Sequence, residues 1–141
     1  VFRPSVATIA NAMDVGDPSN FARILDLYGR SLEAIRADIS AARYDDEQIC
    51  RAIAETLERT GYLLDPHGAC GYLALREGLR EDETGVFLET AHPAKFRDRV
   101  EPVIGRSIEI PARLAEFMRG KKLSVELPAD FGAFRDFLMA R

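Results

Sequence analysis

The sequence predicts a helix-rich α/β fold with many helices and only two or three strands. Apolar residues recur at spacings of three and four behind Asp, Asp-Pro and Asp-Asp starts along most of the chain. Strand-like runs are short and few, "SVATIAN" near the front and "TGVFLET" after residue 83. With 47% apolar and 30% charged residues in 141, the chain has the balance of a globular protein, and one this long buries about two-thirds of its unfolded surface. So few strands fall short of a complete doubly wound sheet, so the chain is expected to be a single segment of a larger domain. It begins at Val1 rather than methionine, in what reads as the approach to a strand, which points the same way.

Each element has its own reason. Residues 1–17 read as a strand that delivers a loop, turning at Val15, Gly16 and Asp17. The helical part, 18–80, opens on "DPSNFARILDLYG", with Asp17 as N-cap, Pro18 in the first helical position, Phe21, Ile24, Leu25 and Tyr28 on one face, and a stop at Gly29. A second helix carries Leu32, Ile35 and Ile39. A third carries Ile49, Ile53 and Leu57, opened by Asp45 or Asp46 and closed by Gly61. "LLDPHGACGYLALREGL" repeats the Asp-Pro opening at Asp65 and Pro66 and ends at Gly78. Residues 84–104 then form a strand-loop-helix unit: "TGVFLET" is too short for a helix and reads as a buried, parallel strand, and "AKFRDRVEPVIG" supplies the helix through Phe96, Val100 and Ile104. Helices over 111–141 follow, one near Pro111 and one from about Asp130, joined by an extended link through Leu123 to Leu127.

Several function classes are excluded by composition. The formal charge is −4 and the basic residues alternate with acidic ones, so no positive stripe exists for nucleic acid. No apolar run reaches the roughly 20 residues of a membrane span, and no signal or transit peptide is visible, so the expected location is the cytoplasm. Cys50 and Cys70 are far apart with no CxxC and read as two reduced thiols.

Three clusters place polar residues where a strand ends or a helix begins, the usual position of ligands in α/β proteins. At the first, Ser19, Asn20 and Arg23 surround a helix start whose free N–H groups favour an anion such as phosphate; the plain alternative is an ordinary Asp-Pro-Ser helix start with Arg23 in solvent. The second, "DPHGACGY", offers His67 as an acid or base without a carboxylate or nucleophile placed to orient it, so a helix-start histidine is the simpler account. Gly68, Ala69 and Gly71 there point to close approach by another backbone. In the third, "FLETAHPAKF", Thr90 ends the predicted strand and His92 and Lys95 lie at the helix that follows. The two histidines lack the spacing of a zinc pair, and no metal site is expected.

Taken in order, "NAMDVGDPSNFARI", "GYLLDPHGACGYLALR", "ETGVFLETAHPAKFRDRVEPVIG" and "LPADFGAFRDFLMAR" resemble the carboxyl-terminal third of threonine synthase, in the longer form found in bacteria and fungi. The resemblance spans nearly all of the chain. It implies the second fold type of pyridoxal-phosphate enzymes, with this segment contributing part of the large doubly wound domain. The implied activity is that of a lyase, conversion of O-phospho-L-homoserine and water to L-threonine and phosphate in threonine biosynthesis.

By the same resemblance, the lysine that binds pyridoxal 5'-phosphate and the glycine-rich loop for its phosphate lie upstream of these residues, so the segment alone is expected to be inactive. Lys95 matches a downstream motif and is implied to be structural or peripheral. Thr90 matches the family hydroxyl that hydrogen-bonds the pyridine nitrogen of the cofactor. Glu89 stands where a small residue is usual and is expected to face away from the cofactor. Cys70 reads as a small core hydrophobe. The segment is also expected to self-associate through apolar surface that the parent covers. The competing reading is a non-catalytic ligand-binding or interaction module on the same scaffold.

Overall fold

The computed structural model of the chain describes residues 6–11 and 19–140. Two compact units divide it, residues 1–109 and 110–141. In the first, α1 (Phe21–Leu27) and α2 (Leu32–Asp38) precede α3 (Asp46–Thr60) and α4 (Pro66–Gly78); a 3-10 turn (Pro93–Phe96) then leads into α5 (Arg97–Ile104). The second holds α6 (Ala112–Met118) and α7 (Phe131–Met139). Asp17 and Pro18, expected to open α1, lie outside the described residues, as do Val1–Ser5 and the turn at Val15 and Gly16.

α3 starts where the sequence marks it. The Asp45 carboxylate accepts the Gln48 backbone N–H at 2.9 Å, and the Gln48 side-chain oxygen accepts the Asp45 N–H at 3.0 Å, so each satisfies an amide the helix leaves open. The helix stops at Gly61, whose φ of +75° is a left-handed turn that a side chain rarely adopts. Between these ends Ile49, Ala52, Ile53 and Thr56 share one buried face, and that face packs on α4 and α5. Leu64, Ala69, Leu73, Phe96 and Val100 are buried as well, and Ile9 and Ile108 add to the core. The Ile9 amide is also tied to α3, donating to Asp46 Oδ1 at 3.0 Å.

The second unit is built differently. α7 is capped by Asp130, whose carboxylate accepts the Ala133 N–H at 2.8 Å, yet among the described residues of this unit none is buried. Phe117, Phe131 and Met139 are largely exposed. The apolar stripes of these helices therefore remain uncovered.

The helices expected over 18–80 appear, but the strands do not. Among the described residues no β-ladder forms. Residues 6–11 are irregular, the link over 121–128 is unpaired, and 84–90 runs without a partner. The expectation of a buried strand at "TGVFLET" is corrected by its accessibility: Val86 is 82% and Leu88 76% exposed. A strand is defined by the neighbour that takes its N–H and C=O groups, and among the described residues none lies beside this one.

Candidate functional site

Residues 85–90 alternate. Gly85, Phe87 and Glu89 are partly covered, whereas Val86, Leu88 and Thr90 are exposed, the period-2 pattern of extended backbone with one face against a support. That support is α4. Phe87 meets Tyr72 edge-on, with ring centroids 5.8 Å apart, and lies against Gly71. A methyl group at Gly85 would collide with Leu75, so the segment can approach α4 there only because Gly85 lacks a side chain. Tyr72 is itself held, since Arg59 donates to its hydroxyl and Arg76 sits 5.7 Å over its ring.

Glu89 reaches the start of α4. A methyl at Gly68 would collide with the Glu89 carboxyl, so the close approach expected at Gly68 comes from a side chain and not from a backbone. Asp65, the α4 N-cap, is fully buried and accepts the His67 N–H at 2.8 Å. The Asp65 amide points at Glu89 Oε2, 3.4 Å away. Burial pushes the Glu89 carboxyl up to about 8, with the Asp65 carboxylate beside it adding to the rise. Burial also raises Asp65, but hydrogen bonds from Glu89, from the His67 and Gly68 amides and from the His67 ring outweigh it, leaving Asp65 below the usual carboxylate range.

The two histidines have local roles. The His67 ring packs on Phe96 at 5.3 Å between centroids, with Nδ1 3.3 Å from Asp65 Oδ1, so a carboxylate does orient it. Sequence spacing hid that contact, because the carboxylate is two residues away at the helix cap. His92 is the cap of the 3-10 turn; its Nδ1 accepts the Ala94 N–H at 3.1 Å, which leaves Nε2 to carry the proton of the neutral ring. Lys95 is exposed, with Nζ 5.6 Å from the centroid of the Phe96 ring. Cys50 and Cys70 are both half-buried and unbonded, and burial raises both thiols.

Thr90 ends the segment on its exposed side. Ser19, Asn20 and Arg23 are exposed as well. The Ser19 and Asn20 carbonyls accept the Ala22 and Arg23 amides at 3.3 and 3.0 Å, and the Asn20 side chain makes no cap bond. Nothing among the described residues brings these three side chains to Thr90. A cleft of about 550 Å³ is lined by Leu57, Tyr62, His92, Ile104, Arg106 and Glu109 among others, and not by Thr90. No helix among the described residues is long and apolar enough to cross a membrane.

Residues 68–138 match the family "Threonine synthase, C-terminal". The chain is 42% identical to the threonine synthase of Escherichia coli strain K12 over 133 residues, 94% of this chain and 31% of that protein. It is 42% identical to that of Serratia marcescens over 135 residues, 96% of this chain and again 31% of the relative. Among solved structures it resembles the crystal structure of E. coli threonine synthase, with a TM-score of 0.74 and 41% identity over 98% of this chain and 32% of that one. It also resembles the PLP-bound threonine synthase of Brucella melitensis, with a TM-score of 0.75 and 29% identity over 99% and 35% of the two chains. The chain thus spans about a third of the length of the relatives it matches. With half its residues matched by the family and its fold shared by two of the enzymes, the chain belongs to the threonine synthase family, in the carboxyl-terminal part of it.

Proposed function

We propose that this chain serves as the carboxyl-terminal part of a threonine synthase, a pyridoxal-phosphate lyase that turns O-phospho-L-homoserine and water into L-threonine and phosphate. The observation that carries the reading is the likeness of nearly the whole chain to two threonine synthase structures, one of them PLP-bound. The cofactor's site would be completed by the rest of the enzyme. We read 84–90 as one strand of the doubly wound sheet of a fold-type II domain. Its free backbone and its exposed Val86 and Leu88 would then be covered by a neighbouring strand.

Thr90 suits the cofactor contact because its side chain lies on the open face of the segment while the opposite face is occupied by α4. Bound pyridoxal phosphate supplies the electron sink for the reaction. The threonine hydroxyl would donate to the ring nitrogen and orient the ring without fixing a charge on it, where a carboxylate would hold that nitrogen protonated. Ser19, Asn20 and Arg23, exposed at the start of α1, are the candidate partners of the substrate phosphate. Lys95, at the 3-10 turn beside Phe96, keeps a structural role, and with the covalent lysine contributed by the rest of the enzyme the chain by itself would be inactive. The cytoplasm is the setting for such biosynthetic chemistry, and the uncovered apolar faces of 84–90, α6 and α7 favour self-association of the isolated segment.

The test is Thr90→Val in the whole enzyme. We expect folding to be retained, the absorbance of the bound cofactor to shift and turnover to fall at least tenfold. An unchanged spectrum with unchanged turnover would show that Thr90 is not the ring-nitrogen partner.

A further inference from the structure

We propose that Glu89 and Asp65 share a single proton, Glu89 donating it to Asp65, and that this acid pair latches the extended segment onto the start of α4 and so positions Thr90. Two buried oxygens carry the argument. Asp65 Oδ2 and Glu89 Oε1 have no hydrogen-bond partner among the described residues. An ionised carboxylate can only accept, so with both groups charged each oxygen would be stranded, and a buried acceptor without a donor has lost its hydration with nothing in return. One proton on Glu89 turns one of the two into a donor and removes both vacancies.

The remaining contacts assign the proton to Glu89. Asp65 Oδ1 already accepts from the His67 amide at 2.8 Å and lies 3.3 Å from the His67 ring, which favours the charged form. Glu89 has only the long contact from the Asp65 amide, 3.4 Å from Oε2. The groups that act on Glu89 or are acted on by it are Asp65 at the start of α4 and Tyr62 in the approach to it. Burial, with the charges of Glu89 and Asp65, raises the Tyr62 hydroxyl, so neither group supplies a positive charge that would hold Glu89 ionised. Gly68 leaves the space into which the Glu89 carboxyl fits.

Thr90 is the next residue on the opposite face, so fixing Glu89 fixes the direction in which Thr90 points. That consequence rests on the cofactor reading of Thr90; the shared proton does not. The linkage has a definite sign. The Glu89 carboxyl is raised to about 8 in the folded chain, while an ordinary glutamate titrates near 4.5. The folded chain thus keeps a proton that the unfolded chain has released, and stability falls as pH rises from about 4.5 to about 8 and levels off above. Asp65, lowered on folding, adds stability above its ordinary value of 3.8 and loses it only as pH falls through its folded value.

The experiment is a carbon-13 NMR titration of the carboxyl groups in this chain without cofactor, alongside thermal unfolding from pH 5 to 9. We expect one glutamate step near pH 8, absent in Glu89→Gln. We also expect a melting temperature that declines with pH in the natural chain and stays level in that variant, whose amide donates to Asp65 at every pH. Asp65→Asn, which caps α4 and donates to an ionised Glu89, should bring the Glu89 step down by more than one pH unit. A Glu89 step near 4.5 in the natural chain, or the same melting profile in Glu89→Gln, would overturn the proposal. Should Glu89→Gln fail to fold, the position of the step in Asp65→Asn decides alone. None of these readouts depends on Thr90 or on the cofactor, so the latch and the cofactor contact can fail separately.

Discussion

Phe87 meets the edge of Tyr72 with ring centroids 5.8 Å apart and ring planes inclined at 64°, and through this contact the extended segment is seated on α4. An aromatic pair of this geometry contributes about 0.5–1.5 kcal/mol beyond the area it buries. Phe87→Ala should therefore destabilise the chain by roughly 2 kcal/mol in urea unfolding, less than a fully buried phenylalanine because Phe87 is only half covered. Val86→Ala, one residue away on the open face, should change stability by less than about 0.5 kcal/mol. Equal losses at the two positions would mean that the segment is not seated in this way.

Ile53 is fully buried between α3 and the elements packed on it. Its truncation to alanine leaves a cavity that a close-packed core, in which Val100 and Leu64 are likewise without exposure, fills only in part. Ile53→Ala should cost about 2–5 kcal/mol, measured as a lower urea midpoint with an unchanged slope. A loss below about 1 kcal/mol would show that the core relaxes freely around it.

The Asp45 and Gln48 exchange at the start of α3 is exposed, so its contribution is that of a cap and not of a core. Asp45→Ala should cost about 1 kcal/mol, and Asp45→Asn, which keeps the accepting oxygen, much less. Amide hydrogen exchange at Gln48 should rise in the alanine variant and stay near the natural value in the asparagine one. Equal exchange in the two variants would remove the capping role.

Helix ends were legible in the sequence because their chemistry is local. Asp45, Gly61, Asp65 with Pro66, and Asp130 each act on amides or dihedrals within three residues of themselves, and α3, α4 and α7 begin, and α3 ends, accordingly. The core residues Ile49, Ile53 and Val100 were legible for a related reason: their spacing of three and four puts them on one face of their helices. The role of "TGVFLET" was not. Its alternation was in the sequence, with Phe87 and Glu89 of one parity and Val86, Leu88 and Thr90 of the other, but its apolar content read as a strand buried on both faces.

What the sequence determined by itself was the set of helices, the buried faces of α3 and α5 and the resemblance carried by four ordered motifs. Only the tertiary structure decided that 84–90 has no strand beside it among the described residues, that Glu89 turns toward Asp65 across 24 positions of chain, and that Thr90 is left on the open side. Capping and periodicity depend on neighbours a few residues apart, whereas a β-ladder or a shared proton depends on a partner that only the folded chain brings near.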